Sequence, residues 1–240
     1  MQPILVIAAV AQEISLLIRS MQGKRLELPP IPEIHSGKIH GRELLVAATG
    51  IGKVNSASSL AAIILSYRPR LVISTGCAGA YPQSGLRVGD LALASSELFG
   101  DEGVTTPEGW RSLEHIGIPS LELKGNRYFN EIPLSFTLAT QAVQLASKLE
   151  LTLRRGRFVT VSTCSGTAAR GEELYSRYGG LCENMEGAAA AQVALQYGID
   201  CLEVRGISNM VEDRDLSRWD IPLAAEQAQR FILRYIEAYC

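Results

Sequence analysis

The sequence predicts a single α/β domain in which a central, mostly parallel mixed sheet is flanked by helices. Three observations predict it. Apolar, β-branched runs recur along the chain, segments with helical periodicity separate them, and no linker or internal repeat divides the 240 residues. Strands that alternate with helices form largely parallel sheets covered on both faces. We therefore expect one domain over residues 1–240.

Six apolar runs are predicted to be strands, and most of them are continuous enough to be buried on both faces. They are Ile4–Val10, Glu43–Thr49, Arg70–Thr75, Asp90–Ser95, Arg157–Ser162 and Cys201–Ile207. Six further segments are predicted to be helices: Gln12–Met21, Lys53–Tyr67, Phe136–Leu149, Gly171–Tyr178, Met185–Tyr197 and Pro222–Tyr239. The last has one apolar stripe, and Pro222 suits its first turn. Glycine, proline and polar residues break any period over Phe99–Pro133, so we expect a long irregular insertion there.

Composition limits the partners of the protein. The formal charge is −2 and no basic stripe is present, so we expect no nucleic-acid partner. The apolar start, Ile4 to Val10, lacks the positive flank of a signal peptide and Glu13 interrupts it, so we expect neither an export signal nor a membrane span. Five cysteines without a C-x-x-C pattern suit a reducing cytoplasm. The three histidines have no metal-ligand spacing, and we expect no metal and no cofactor.

Candidate ligand-binding residues follow the predicted strands. In open α/β sheets, ligands bind beyond the carboxyl ends of the strands. Glu13, Gly50, Gly76, the segment from Thr163 onward and Asn209 each come after a different strand. Because these positions meet at one edge of a parallel sheet, the sequence predicts one shared site.

Two small-residue loops carry less information. Thr49-Gly50-Ile51-Gly52-Lys53-Val54 fits neither G-x-G-x-x-G nor the P-loop pattern, which disfavours a dinucleotide or ATP site. Thr75-Gly76-Cys77-Ala78-Gly79-Ala80 is predicted to be a second turn. Its glycines either let backbone N–H groups approach a ligand or simply allow a turn with positive φ.

Six short motifs, in order along nearly the whole chain, resemble the nucleosidase and nucleoside phosphorylase superfamily. They are Ala8-Ala9-Val10-Ala11-Gln12-Glu13, Gly50-Ile51-Gly52-Lys53-Val54, Ser74-Thr75-Gly76-Cys77-Ala78-Gly79, Arg87-Val88-Gly89-Asp90, Asn184-Met185-Glu186-Gly187-Ala188 and Arg205-Gly206-Ile207-Ser208-Asn209. The resemblance implies the nucleoside phosphorylase-like fold and a homo-oligomer, often with a neighbouring subunit completing the 5′ pocket.

Within the superfamily, the overall pattern resembles the methylthioadenosine/S-adenosylhomocysteine nucleosidases and the futalosine hydrolases of menaquinone biosynthesis. Three features are more similar to the futalosine hydrolases. They are the stretch Thr160–Thr167, the Ser208-Asn209 ending, and Asp213-Arg214-Asp215 followed by Trp219.

The resemblance implies roles for the carboxylates. Cleavage of a purine N-glycosidic bond needs a water activator, a ribose clamp and stabilisation of the departing base. Glu13 stands where the nucleosidases have their water-activating glutamate, although an acid at a helix start also fits simple dipole stabilisation. Glu186 is predicted to accept hydrogen bonds from the ribose hydroxyls. Met185 is predicted to pack against the sugar, and its helical spacing equally suits a core position.

The remaining predicted contacts to substrate come from the small-residue segments and the serine before Asn209. They are Cys77, Ala78, Gly79, Gly166, Thr167 and Ser208. Trp219 is predicted either to close over the site or to anchor the packing of a loop. Cys164 has no histidine near it in sequence, which disfavours a nucleophilic role.

Asn209 is the informative departure from the adenine-cleaving nucleosidases, which have aspartate here. An ionised carboxylate would face the O6 lone pairs of a 6-oxopurine unfavourably, whereas an amide presents one donor and one acceptor. Its NH₂ can bind O6 while its carbonyl oxygen receives a proton held on N7. The amide can also flip, so adenine is not excluded, and asparagine at a strand end also serves as a turn or cap.

Water is favoured over phosphate as the nucleophile. Ala9-Val10-Ala11-Gln12-Glu13 stands where many related phosphorylases carry a Gly-Asp-Pro-x-Arg phosphate loop, and Arg87 is interpreted as a surface cation. The sequence therefore predicts a purine nucleoside N-ribohydrolase of the futalosine hydrolase type, releasing hypoxanthine. The alternatives are an adenine-specific nucleosidase, a phosphate-dependent phosphorylase, and a non-catalytic nucleoside-binding or storage protein.

Overall fold

The computed structural model describes residues 2–240, and Met1 lies outside the described residues. Its strands are β1 (Ile4–Ala8), β2 (Gln22–Leu26), β3 (Glu33–Ile39), β4 (Arg42–Ala48), β5 (Leu71–Ala80), β6 (Leu91–Phe99), β7 (Gly103–Thr106), β8 (Gly109–Ser112), β9 (Leu121–Leu123), β10 (Asn126–Tyr128), β11 (Glu131–Pro133), β12 (Leu153–Thr160), β13 (Cys182–Asn184) and β14 (Asp200–Met210). Its α-helices are α1 (Ser15–Ser20), α2 (Lys53–Tyr67), α3 (Leu113–Ile116), α4 (Phe136–Lys148), α5 (Ala168–Tyr178), α6 (Gly187–Gln196) and α7 (Ile221–Tyr239).

One mixed sheet of ten strands organises the fold, which confirms the predicted fold class. Its order is β11-β6-β12-β13-β5-β1-β4-β3-β2, and β14 pairs with both β5 and β6. The strands β6, β12, β13, β5 and β14 therefore close into a ring. The pairings of β1 with β4 and β5, of β12 with β6 and β13, and of β14 with β5 are parallel.

Both faces of the sheet are covered, because successive side chains of a strand point to opposite faces. In β1, Ile4 and Val6 pack into the cluster that contains residues of α1, α4 and α7. Leu5 and Ile7 pack into the cluster that contains residues of α2 and α6. This two-sided burial explains why β1 is a continuous apolar run rather than an alternating one.

Local chemistry sets the ends of the long helices. Helix α2 has the predicted bounds. The residue that follows it, Arg68, has a left-handed φ of 49°, which stops the helical path. The side chain of Asp220 accepts a 2.9 Å hydrogen bond from the backbone N–H of Leu223, and Pro222 lies in the first turn of α7. Proline fits there because that turn has no intrahelical partner for its N–H.

The differences from prediction concern short or polar strands. The hairpin of β2 and β3 was not predicted, because β2 is largely exposed and its polar sequence has no apolar alternation. The insertion expected to be irregular forms two small hairpins, β7–β8 and β9–β10. The stretch Thr75–Ala80, predicted to be a turn, is the second half of β5, paired on both edges with β13 and β14.

Within residues 2–240, every helix falls short of the length and apolar character that a membrane crossing requires.

Candidate active site

A cavity of about 310 Å³ lies at the carboxyl ends of β1, β5 and β14, beside the junction of β13 with α6. Nine of the residues predicted from sequence line it together: Glu13, Cys77, Ala78, Gly79, Met185, Glu186, Ser208, Asn209 and Trp219. The segments that carry them are far apart in sequence. Parallel pairing brings these segments to one edge, as the strand order requires.

A larger surface cleft of about 560 Å³ lies elsewhere, between the β2–β3 hairpin and α7. Its basic side chains are engaged with neighbouring carboxylates: Lys38 with Glu43 at 2.8 Å, and Arg230 with Glu226 at 2.6 Å. It contains none of the residues predicted to act in chemistry. The smaller cavity, with its buried carboxylates, is therefore the candidate site.

Glu13 is held by three backbone donors. It follows β1 in a short 3₁₀ turn, Ala11–Ile14. Its Oε2 accepts hydrogen bonds from the N–H groups of Ala9 at 3.1 Å and Val10 at 3.2 Å, and its Oε1 accepts one from Cys77 N–H at 2.8 Å. The side chain is buried yet lines the cavity. These three hydrogen bonds fix the position of the carboxylate at the cavity wall, as a general base requires.

Gly76 makes room for this carboxylate. Its φ is +138°, and a Cβ there would lie 2.6 Å from Glu13 Oε1 and 3.0 Å from Arg205 Nη1. Any larger residue would displace one of these two groups. The glycine predicted to serve a turn therefore permits a close approach of β5 to the carboxylate.

Glu186 lies at the N-terminus of α6 and reaches across to another element. Its Oε1 accepts a 2.9 Å hydrogen bond from Gly52 N–H, and its Oε2 is 3.5 Å from Arg205 Nη1. The side chain of Asn184 accepts hydrogen bonds from the N–H groups of Glu186 at 3.0 Å and Gly187 at 2.7 Å. Asn184 thus fixes the start of the helix that presents Glu186.

Arg205 lies close to Glu13 and Glu186, two of the carboxylates that line the cavity, and the sequence interpretation did not assign it a role. It is 1% exposed, its Nε donates to Glu203 Oε1 at 2.8 Å, and its Nη1 donates to the Cys77 carbonyl at 3.3 Å. Burial alone would lower the pKa of Arg205, but Glu203, Glu186 and Glu13 raise it above its usual value. A fixed positive charge therefore stands between Glu13 and Glu186. The sequence signal that could have identified Arg205 was its place at the start of the Arg205–Asn209 motif.

Glu97 of β6 is a further buried carboxyl group, and it contacts Asn184, which fixes the start of α6. Thr160 Oγ and Asn184 Nδ2 each donate to Glu97 at 2.7 Å. Burial, and then the neighbouring Glu203 carboxylate, raises the pKa of Glu97 well above its usual value. Burial therefore favours the protonated form of Glu97 beside the ion-paired Glu203. This arrangement keeps two acidic groups adjacent without two uncompensated charges.

Asn209 and Ser208 lie at the end of β14. Ser208 Oγ is 2.8 Å from Asn209 Oδ1, and Asn209 Nδ2 donates to the Met210 carbonyl at 3.1 Å. These contacts orient the amide. Each end keeps capacity for a ligand, because the amide oxygen has a second lone pair and the nitrogen a second hydrogen.

Not every predicted residue reaches the cavity. Gly166 and Thr167 are not part of its lining; Thr167 instead caps α5 by accepting a hydrogen bond from Arg170 N–H at 3.2 Å. Trp219 lines the cavity, and the guanidinium of Arg214 stacks on its ring at 4.7 Å. The exposed Arg87 lies away from the cavity. Partial burial, and then the Glu183 carboxylate, raises the pKa of the Cys164 thiol, which disfavours a thiolate nucleophile.

Sequence reasoning also assigned no role to two buried polar residues that contact each other in the cavity wall. Glu183 of β13 and Ser165 line the cavity, and both are buried. Ser165 N–H donates to Glu183 Oε1 and Ser165 Oγ to Glu183 Oε2, each at 2.7 Å. The signal for Glu183 was an acidic residue between the apolar Cys182 and the Asn184-Met185-Glu186 motif.

Comparisons with known proteins agree with the fold and the motifs. The model of the phosphorylase superfamily matches residues 3–237. A futalosine hydrolase of Thermus thermophilus is 35% identical over 82% of this chain and 83% of that protein. A futalosine hydrolase of Acidothermus cellulolyticus is 30% identical over 98% of this chain and 91% of that protein. A 5′-methylthioadenosine/S-adenosylhomocysteine nucleosidase of a Geobacillus species is 29% identical over 86% and 85% of the two chains.

A solved structure shares the whole architecture. The 5′-methylthioadenosine/S-adenosylhomocysteine nucleosidase of Neisseria meningitidis, in complex with methylthio-immucillin-A, superposes with a TM-score of 0.86. The match covers 99% of this chain and 100% of that chain at 23% identity, which supports the fold alone. With the family model spanning almost the entire sequence, the chain belongs to the phosphorylase superfamily.

Proposed function

We propose that this protein is a purine nucleoside N-ribohydrolase whose substrate is futalosine. The products are hypoxanthine and a ribose that carries an aromatic-acid side arm, in menaquinone biosynthesis. The two futalosine hydrolases among its relatives support the reaction class. The observation that carries the choice of base is Asn209, an amide lining the same cavity as Glu13 and Glu186.

Glu13 is the proposed water activator. Water attacks C1′ of the ribose, the C1′–N9 bond breaks, the bonding electrons leave with the base, and the water proton passes to the carboxylate. Three backbone donors hold the Glu13 carboxylate in place for this step. Arg205 Nη1, 3.5 Å from Glu186 Oε2, places a fixed positive charge beside that carboxylate.

Glu186 is the proposed ribose clamp. Gly52 N–H occupies one acceptor position of its Oε1, which leaves the remaining lone pairs of the carboxylate for ribose hydroxyls. Met185 lines the cavity next to it and is proposed to pack against the sugar. Because positive charge develops on the ribose as the bond breaks, a nearby carboxylate stabilises the transition state more than the ground state.

Asn209 is proposed to hold the departing hypoxanthine. Its NH₂ donates to O6 and its carbonyl oxygen accepts the hydrogen on N7, which spreads the charge that the base acquires. Asparagine cannot itself be a general acid at neutral pH, so the N7 proton comes from water or from another group.

Incubation of the purified protein with futalosine tests the proposal. We expect free hypoxanthine by chromatography, at the same rate with and without phosphate. Intact futalosine would exclude the proposed substrate, and a sugar 1-phosphate formed only with phosphate would indicate a phosphorylase. Methylthioadenosine in a parallel reaction tests the adenine-specific alternative. If the protein binds futalosine without cleaving any of these nucleosides, it is a binding or storage protein.

The same proposal includes a cytoplasmic homo-oligomer. Ile51 lines the cavity and is 56% exposed, and Val54 at the start of α2 is 82% exposed. Apolar side chains of this kind beside a ligand cavity are suited to cover by a second copy of the chain.

A further inference from the structure

Glu183 has no part in water activation or ribose binding as proposed, yet it is a buried carboxylate that lines the same cavity. It is 6% exposed. It accepts from Ser165 N–H and Ser165 Oγ at 2.7 Å each, and from Tyr81 O–H at 3.4 Å. A carboxylate has about four acceptor positions. Three are occupied by these donors, so one remains for a ligand.

Its place in the sheet sets Glu183 opposite Asn209. Gly79 of β5 pairs with Glu183 on one edge and with Asn209 on the other. Residues in register across neighbouring strands point to the same face of a sheet. The carboxylate and the amide therefore flank Gly79 across about two strand spacings, roughly 9.5 Å between backbones.

Gly79 keeps the space between these two side chains open. A Cβ at this position would lie 3.0 Å from Asn209 Nδ2 and 3.1 Å from Val211 Cγ2. A larger residue would press on the Asn209 amide and on Val211. Gly79 thus leaves the backbone between the carboxylate and the amide bare, and all three residues line the cavity.

We infer that Glu183 determines base specificity by accepting a hydrogen bond from N1–H of a 6-oxopurine. The inference rests on the proposed function, in which Asn209 takes N7 and O6. The edge of hypoxanthine presents N7, O6 and N1–H in succession, so an amide at the first two leaves N1–H for an acceptor. Adenine carries a lone pair at N1 and would oppose the carboxylate.

Ser165 orients the Glu183 carboxylate as an acceptor. Both hydroxyl and backbone donors of one residue bind the two carboxylate oxygens, and Arg170 lies near enough to favour the charge. Burial raises the pKa of Glu183, while the hydrogen bonds from Ser165 and Tyr81 oppose that rise. A buried acceptor left unpaired by the wrong base discriminates strongly against it.

The test is calorimetric binding of hypoxanthine and adenine, two bases of nearly equal size, to the wild-type protein and to Glu183→Gln. We expect wild type to prefer hypoxanthine, and Glu183→Gln to reduce that preference about 10- to 100-fold, because a hydrogen bond to a charged group is lost. If Glu183 has only a structural role, the substitution should weaken the binding of both bases equally. That result, or an unchanged preference, overturns the inference. Glu226→Gln, on the exposed face of α7, is the matched control and should match wild type.

Two further measurements separate the possible failures. If Glu183→Gln does not fold, wild type alone decides, because it should bind 1-methylhypoxanthine, which lacks N1–H, at least 10-fold more weakly than hypoxanthine. Equal binding overturns the inference. Futalosine hydrolysis by wild type is assayed separately. If wild type cleaves futalosine but Glu183→Gln does not change the base preference, the proposed function stands and this inference fails. If Glu183→Gln changes the base preference but wild type does not cleave futalosine, futalosine is excluded as the substrate and the role of Glu183 in base selection stands.

Discussion

Glu13 combines burial, three backbone donors and access to the cavity. Glu13→Gln keeps the size of the side chain and removes its ability to take a proton. We expect kcat to fall about 10²- to 10⁴-fold, the range for loss of a general base. Binding of a non-cleaved nucleoside analogue should change little. Single-turnover kinetics and calorimetry measure the two quantities, and retained turnover would exclude Glu13 as the water activator.

Asn209 differs from an aspartate by one atom, which makes the substitution informative. In Asn209→Asp, an ionised carboxylate would face O6 of the 6-oxopurine. We expect kcat/KM for futalosine to fall about 10- to 100-fold, because the charged carboxylate and O6 are both acceptors and cannot hydrogen-bond to each other. The kcat/KM for methylthioadenosine should rise relative to the kcat/KM for futalosine. Equal changes for the two substrates would show that Asn209 serves the structure of β14 rather than base selection.

The strands and helices explain why the sequence predicts some residues of the site and not others. Glu13 comes soon after the apolar strand β1 and Asn209 lies near the end of β14, so the ends of apolar runs locate both in sequence. Glu183 lies in β13, only three residues long, and Thr160 and Glu97 act through contacts between strands far apart in the chain. Such contacts depend on sheet order, which local periodicity does not encode. The turn predicted at Thr75–Ala80 was wrong for the same reason, because pairing on both edges makes it a strand.

The buried Glu97 on strand β6 predicts how the free energy of unfolding depends on pH. An unfolded glutamate ionises near a pKa of about 4.3, whereas burial and Glu203 raise the pKa of folded Glu97 well above the usual value. The folded protein therefore binds the extra proton, and the unfolding free energy is lost as pH rises from the unfolded value through the folded one. The loss approaches about 1.4 kcal/mol per pH unit for one proton.

Glu97→Gln removes this titration and keeps an amide that can serve Thr160 and Asn184. We expect the variant to gain unfolding free energy relative to wild type as pH rises from 5 to 8, measured by urea denaturation. Glu203→Gln is the contrast, because it removes the 2.8 Å partner of buried Arg205. It should destabilise by about 3–5 kcal/mol. Parallel pH curves for wild type and Glu97→Gln would contradict a protonated Glu97.

At the scale of the whole molecule, the proposed oligomer predicts a dependence of assembly on α2. Val54 is 82% exposed next to the cavity-lining Ile51, on the face of the sheet that carries α2 and α6. In Val54→Asp, a charge would have to be buried between copies, which costs several kcal/mol without a partner. We expect wild type to sediment as an oligomer and the variant to shift toward monomer while retaining its circular dichroism.

Val143→Asp provides the matched control. Val143 is 42% exposed on α4, whose buried residues belong to the cluster on the opposite face of the sheet. The same apolar-to-acidic change there should leave the sedimentation of wild type unaltered. If Val54→Asp dissociates the protein and also raises KM for futalosine, the second copy contributes to the 5′ end of the cavity. A monomeric wild type with full activity would show instead that one chain forms the complete site, with Ile51 and Val54 left to solvent.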